Sequence, residues 1–214
     1  MSYMFYRSDI FDVNLSKWDV SRVTSMDGMF YKAYIFQNND LNSWDVSNVR
    51  SMFRMFQDAF LFNSDLSSWN TGRVQDISLM FNGGSSFNGN LSAWNVARVT
   101  DMNGVFFKAD LFNSDLSSWD TGAATTIAWM FGSAPAFNSD ISGWNVSRVI
   151  TAEKMFTEAK SFKQNLCPWG TKLTSSVSFF HTFLGSGCPN EADPNLTAVP
   201  QGPLCHKCGS LSLD

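Results

Sequence analysis

Histidine, charge and long apolar runs are all scarce in this chain, and each shortage removes a class of function. Only two histidines occur among 214 residues, His181 and His206. No nucleophile elbow, phosphate-binding loop or HExxH pair appears either, so a non-catalytic protein without a cofactor or a catalytic metal is expected. Charged residues make up 16% and nearly balance, 15 basic against 19 acidic. No basic stripe stands out along the chain, and nucleic acid is not an expected partner. No apolar run approaches the ~20 residues that cross a bilayer, so no membrane span is expected here. Cysteine is missing from the first 166 residues.

What fills the chain instead is one pattern, copied. Trp18, Trp44, Trp69, Trp94, Trp119, Trp144 and Trp169 are spaced by 26 residues once and by 25 thereafter. A fixed period in this range marks a stacked repeat array. Counted from each Trp, position +8 holds Met26, Met52, Ile77, Met102 and Ile127, and +11 holds Met29, Met55, Met80, Met130 and Met155. Position +12 holds Phe30, Phe56, Phe81, Phe106, Phe131 and Phe156, and +15 is Ala33, Ala59, Ala109, Ala134 or Ala159. Positions 8, 11, 12 and 15 form one stripe on a two-turn helix. Position +18 is Phe36, Phe62, Phe87, Phe112, Phe137 or Phe162, ahead of a polar elbow and an inward Leu. Trp and the residue two on then alternate with Asp or Asn, as a short strand does. The Met and Phe rows at helical spacing read as core, not as a Met-rich binding surface.

The expected architecture is therefore an α/β solenoid of about seven coils over residues 1–184, with short parallel strands and short helices. An irregular cysteine-bearing cap follows, residues 185–214, punctuated by Gly185, Gly187, Pro189, Pro194, Pro200 and Pro203. In the last coil Val177 and Phe180 keep the register while His181 stands where the Phe would be. The extra residue between Phe36 and Trp44 is expected to bulge at the surface. At the other end, Met1, Met4, Phe5, Phe11 and Leu15 fit a coil whose Trp would precede residue 1. The chain opens in mid-repeat, as a piece of a longer secreted or surface protein would.

The consensus WDVSxVxxMxxMFxxAxxFNxDLSxW, running from Met1 to about Phe183, resembles the roughly 25-residue repeat of BspA-like surface proteins. These are leucine-rich-repeat relatives, and the resemblance implies a right-handed solenoid of that kind. It also implies a surface protein, several relatives being linked to adhesion, and it brings no catalytic residues. Gly72, Gly122 and Gly170 and the tail after Leu184 depart from the pattern.

Four residues carry candidate chemistry in the tail region: Cys167, Cys188, Cys205 and Cys208. In a surface protein they read as two disulfides with three possible connectivities. The rival is a zinc site built on Cys205, Cys208 and His206. Two rows of Asp and Asn, one four residues before each Trp and one directly after it, raise calcium as a ligand. Their free exchange of Asp for Asn suits turn hydrogen bonding better. Position +6, Thr24, Arg50, Gln75, Thr100, Thr125 and Ile150, is too irregular for an ice-binding array. Of the Asn-x-Ser/Thr sites at Asn14, Asn90, Asn145 and Asn195, the last is the plausible glycan acceptor.

Variation between copies points to a contact surface. Positions +13 and +16 carry Tyr6, Tyr31, Tyr34, Phe60 and Phe107, and positions +9 and +10 carry Phe53 and Trp129, where other copies are polar. Such residues form either an exposed contact patch or lateral packing between neighbouring repeats. The functional expectation is a non-catalytic recognition or adhesion module, extracellular or at a cell surface, meeting a protein or a glycan. A spacer or assembly element without a specific ligand is the alternative.

Overall fold

The computed structural model describes residues 1–8, 14–37, 40–198 and 201–209. Phe11, Pro200 and two residues of the expected bulge, Asn38 and Asn39, lie outside them.

Repeats are joined by their backbones. Parallel bridges link one residue per repeat in series, Ser25 to Ser51, then Asp76, Asp101, Thr126, Thr151 and Ser178. Just before each bridge, the amide of Arg50 donates to the carbonyl of Thr24 and that of Gln75 to Arg50, both at 2.8 Å. Just after it the direction reverses. Met26, Gly28, Phe30 and Lys32 donate to Ser51, Phe53, Met55 and Gln57 of the next repeat, at 2.7–2.9 Å. Successive repeats thus lie one strand spacing apart, about 4.8 Å.

The segment expected to be a two-turn helix is not one. Among the described residues the helical elements are two short 3-10 helices, Asp40–Ser43 and Cys167–Trp169. The stripe is carried by overlapping β-turns, in which Met29 donates to Met26, Tyr31 to Gly28 and Ala33 to Phe30. A β-turn brings residues i and i+3 within 7 Å, so it puts the same pairs on one side as a helix does. What forbids the helix is a pair of residues per repeat with positive φ. These are Gly28 and Lys32, Arg54 and Asp58, Leu79 and Gly83, Gly104 and Lys108, Trp129 and Ser133, and Lys154 and Glu158, at 52–69°.

The expected Trp-x-Val strand is likewise bent into turns, Trp18 donating to Leu15 and Val23 to Val20. The cause is the Asx rows. Oδ1 of Asp19, Asp45, Asn70, Asn95, Asp120 and Asn145 accepts the amide two residues on. Asn14, Asp65, Asn90, Asp115, Asp140 and Asn165 do the same before each Trp. These bonds fold the backbone back locally and compete with an extended run.

Inside, like stacks on like. Phe30, Phe56, Phe81, Phe106, Phe131, Phe156 and Phe183 form one file with centroids 5.4–5.8 Å apart. Phe36, Phe62, Phe87, Phe112, Phe137 and Phe162 form a second at 5.7–6.1 Å. Offset stacking of this kind adds to the roughly 1.5–3 kcal/mol that burial of each ring supplies. Trp44 to Trp169 are buried beside them. Each of these six indoles donates Nε1–H to the elbow carbonyl of the repeat before, Leu15, Leu41, Leu66, Leu91, Leu116 or Ile141, at 2.8–3.1 Å. That carbonyl already accepts the backbone amide of its own Trp, so both of its lone pairs are used.

The last repeat is shifted. Ser178 takes the bridge and Phe183 the ring position, so two residues are inserted after Trp169, and neither Phe180 nor His181 holds the place expected of it. The tail covers the open end. Asp193 accepts the amides of His181 and Thr182 at 2.9 and 3.0 Å, and Glu191 that of Gly185 at 2.7 Å. His181 and Gly185 stand where other repeats donate onward, so the carboxylates replace missing carbonyls. Disulfides Cys167–Cys208 and Cys188–Cys205 fasten the tail, and no free cysteine remains for a zinc site.

Three expectations follow. Ser133→Gly, at φ 52°, should raise the urea midpoint, since a non-glycine residue there costs about 1–2 kcal/mol. Gly104→Ala should lower it, because a Cβ would lie 2.8 Å from Leu79 Cδ2 at a φ of +57°. Asp193→Ala should cost about 1 kcal/mol by freeing two amides, and Asp193→Asn, which keeps one acceptor, less; thermal melts of both variants check this.

Candidate functional site

The outward positions of the turn segment carry the residues that differ between repeats. Positive φ at +10 and +14 leaves the backbone amides aimed along the stack, and the side chains from +9 to +16 that do not enter the core cover its outer side. None of Tyr31, Tyr34, Phe53, Phe60, Phe107 and Trp129 is fully buried, and Phe60 and Tyr6 are each 42% exposed. Lateral packing is also present. Tyr6 stacks on Tyr31 and Tyr34 on Phe60, each at 5.1 Å, and Phe107 meets Trp129 edge to face at 5.2 Å. The two readings of these aromatics are therefore compatible: paired rings on an exposed face.

Cations accompany the rings. Lys32 lies over Tyr31 at 5.1 Å, Arg54 over Phe53 at 4.7 Å and Lys108 over Phe107 at 5.2 Å. Lys154 sits between two repeats' rings, 4.6 Å from Trp129 and 5.8 Å from Phe180. Such contacts hold long side chains in place and strengthen where water is excluded.

The aromatics fall into groups, not one patch. Phe107 and Trp129 line a shallow cleft of about 230 Å³ with Leu79, Asn82, Asn103 and Gly104. The others do not reach it. The cleft is a missing rung: Leu79, Gly104 and Trp129 occupy +10 in consecutive repeats, and Gly104 has no side chain to fill the gap. Sequence reasoning missed Leu79, Asn82, Asn103 and Gly104 because it sought aromatics. The available signal was a Gly flanked by large residues in one row.

Two carboxyls on or beside this face are perturbed by burial. Burial pushes the Asp58 carboxyl up, against the pull of Lys32, Lys108 and Arg54. Burial also pushes Asp101 up, opposed by the Asn103 amide and reinforced by Asp76. The turn carboxylates behave oppositely. Hydrogen bonds from Ser21, Ser47, Ser67 and Ser117 hold Asp19, Asp45, Asp65 and Asp115 below the usual range. Turn hydrogen bonding thus accounts for the Asx rows. Among the described residues no group of three or more His, Cys, Asp or Glu is placed to hold a metal ion, and no helix is long and apolar enough to cross a membrane.

A family model matches this chain twice in succession, over residues 1–94 and 85–186. The chain belongs to that family, described as Mycoplasma protein of unknown function, DUF285. The DUF285 matches take in every Trp rung and both Phe files, with all six candidate aromatics and the cleft. Cys188, Cys205 and Cys208 lie beyond them. A comparison with curated proteins gives no match. The DUF285 repeat supports a repeat surface protein, and the two disulfides fit an extracellular one.

The raised Asp101 carboxyl has a stability consequence. Its charge costs stability at neutral pH, and the cost vanishes as pH falls below its ordinary 3.8. Asp101→Asn keeps an acceptor for the Asn103 amide. It should raise the urea midpoint at pH 7 and leave it unchanged at pH 3.

Proposed function

We propose that this chain is a non-catalytic recognition module, a repeat solenoid of the BspA-like kind, acting outside the cell or at its surface on a protein or glycan partner. The observation that carries this reading is the cleft between Leu79 and Trp129. It joins a partly exposed indole and phenyl ring to two amide side chains, a combination suited to a ligand with one apolar face and several hydroxyl or amide groups. Its walls stand on hydrogen-bonded rungs, so little conformational freedom is lost when a ligand enters. A featureless spacer has no need of aromatic rings left part-exposed at a gap in a row. The Lys154 ammonium over Trp129 adds a donor at the rim.

Screening the folded chain against a glycan array and a panel of extracellular-matrix proteins tests this. At least one ligand should bind, and Trp129→Ala and Asn103→Ala should each weaken it by roughly tenfold or more while far-ultraviolet circular dichroism stays unchanged. Binding that ignores both substitutions would overturn the assignment of the cleft, and binding to none of the panel would favour the spacer.

A further inference from the structure

A second surface emerges only when the repeats are stacked. Position +4 reads Arg22, Asn48, Arg73, Arg98, Ala123 and Arg148, and +6 contributes Arg50. The five arginines are scattered through the sequence but share one side of the stack, and all are exposed. Backbone bonds from Arg50 to Thr24, Gln75 to Arg50 and Thr100 to Gln75 hold this side in strict register at 2.8–2.9 Å. Arg50, Arg73 and Arg98 therefore occupy three consecutive rungs about 4.8 Å apart. No basic stripe stands out along the chain, yet stacking brings these arginines onto one side.

Arg22 lies close enough to Asp19 to favour its charged form, but among the described residues the other four arginines have no such carboxylate in an ion pair. Among the described residues the one ion pair is between Lys160 and Glu158, and none of the five arginines takes part in it. Arg73 donates to Oδ1 of Asn48, which in turn donates to the Ser21 carbonyl at 2.7 Å, so its guanidinium is positioned but not neutralised. On the Trp69, Trp94 and Trp144 rungs, which carry Arg73, Arg98 and Arg148, the residue after Trp is Asn70, Asn95 or Asn145, where the Trp18, Trp44 and Trp119 rungs have Asp19, Asp45 or Asp120. The carboxylates of Asp76 and Asp101, one position beyond the +6 row, are half-buried and turned to the amides of Ser78 and Asn103. Like charges on adjoining rungs repel. Arg73 and Arg98 have no ion-pair partner among the described residues, so their repulsion is relieved when an anion lies across them.

We propose that this ridge binds a linear acidic polysaccharide, sulfated or rich in uronic acid, laid along the stack. Guanidinium forks match sulfate and carboxylate oxygens bidentately. Each rung contributes at most one arginine to the ridge, at +4 or +6, which fits a single extended chain. Its outward positions +1, +3, +4 and +6 carry no aromatic residue, whereas proteins that track single-stranded nucleic acid use stacking platforms between their cations. The two disulfides fit an extracellular protein, and acidic polysaccharide is a polyanion of that setting. This inference is independent of the cleft around Trp129, and either can fail alone.

The test uses the full chain and immobilised dextran sulfate, with neutral dextran, duplex DNA and vesicles of anionic phospholipid as comparison surfaces. Dextran sulfate should bind, with log K falling linearly against log salt as counterions are released, and neutral dextran should not. Arg73→Gln/Arg98→Gln should weaken binding by more than about tenfold and flatten the salt slope. Arg50→Gln/Arg98→Gln, which preserves the Arg73–Asn48 bond, should do the same. Lys32→Gln/Lys160→Gln, on the turn face away from the cleft, should leave it unchanged. Absence of binding, binding untouched by both arginine pairs, or tighter binding of DNA or vesicles would overturn the proposal.

Discussion

Every second amide in the turn segment leaves its own repeat, and the structure depends on that. If those amides bonded four residues back, each repeat would close on itself as a short helix with no reason to meet its neighbour. Because Met26, Gly28, Phe30 and Lys32 donate forward instead, the next repeat is fixed in register at strand spacing. Register then brings Phe over Phe and Trp beside Trp. The cost is a pair of left-handed residues per repeat, of order 1–2 kcal/mol for each that is not glycine. Two phenylalanines and a tryptophan buried per repeat outweigh it, at roughly 1.5–3 kcal/mol each.

Satisfaction of polar groups follows the same rule. The elbow carbonyl takes one bond from its own Trp backbone and one from the next indole. A further row, Asn63, Asn88, Asn113 and Asn138, accepts through Oδ1 the amide of Asn88, Asn113, Asn138 and Lys163 respectively, at 2.7–3.0 Å. Side chain, amide and ring each look along the stack for a partner. A surface residue therefore acquires neighbours 25 positions away, and rows become functional units that no single repeat contains.

The Trp period was legible because one residue type recurs without exception, and the inward rows followed from it. The helix was not, since apolar pairs at i and i+3 belong equally to β-turns, and the deciding feature was φ at Arg54, Asp58, Lys108 and others whose identity gives no hint of it. His181 misled for a related reason. Two residues inserted after Trp169 shifted the count, so counting put His181 in the place that Phe183 holds. Of the candidate site, the aromatics could be named from the sequence. Gly104 and the arginines at +4 could not, because one acts by lacking a side chain and the others by lying on neighbouring rungs.

The acidic tail end has a consequence for how such a protein can change size. Asp193 and Glu191 take up the amides of His181 and Gly185, whose counterparts in the other repeats donate to the next repeat. Whole 25-residue units could be added to or deleted from the middle of the array without redesigning its terminus. Length, and with it the number of presentation sites per molecule, is thereby a freely adjustable property of the gene.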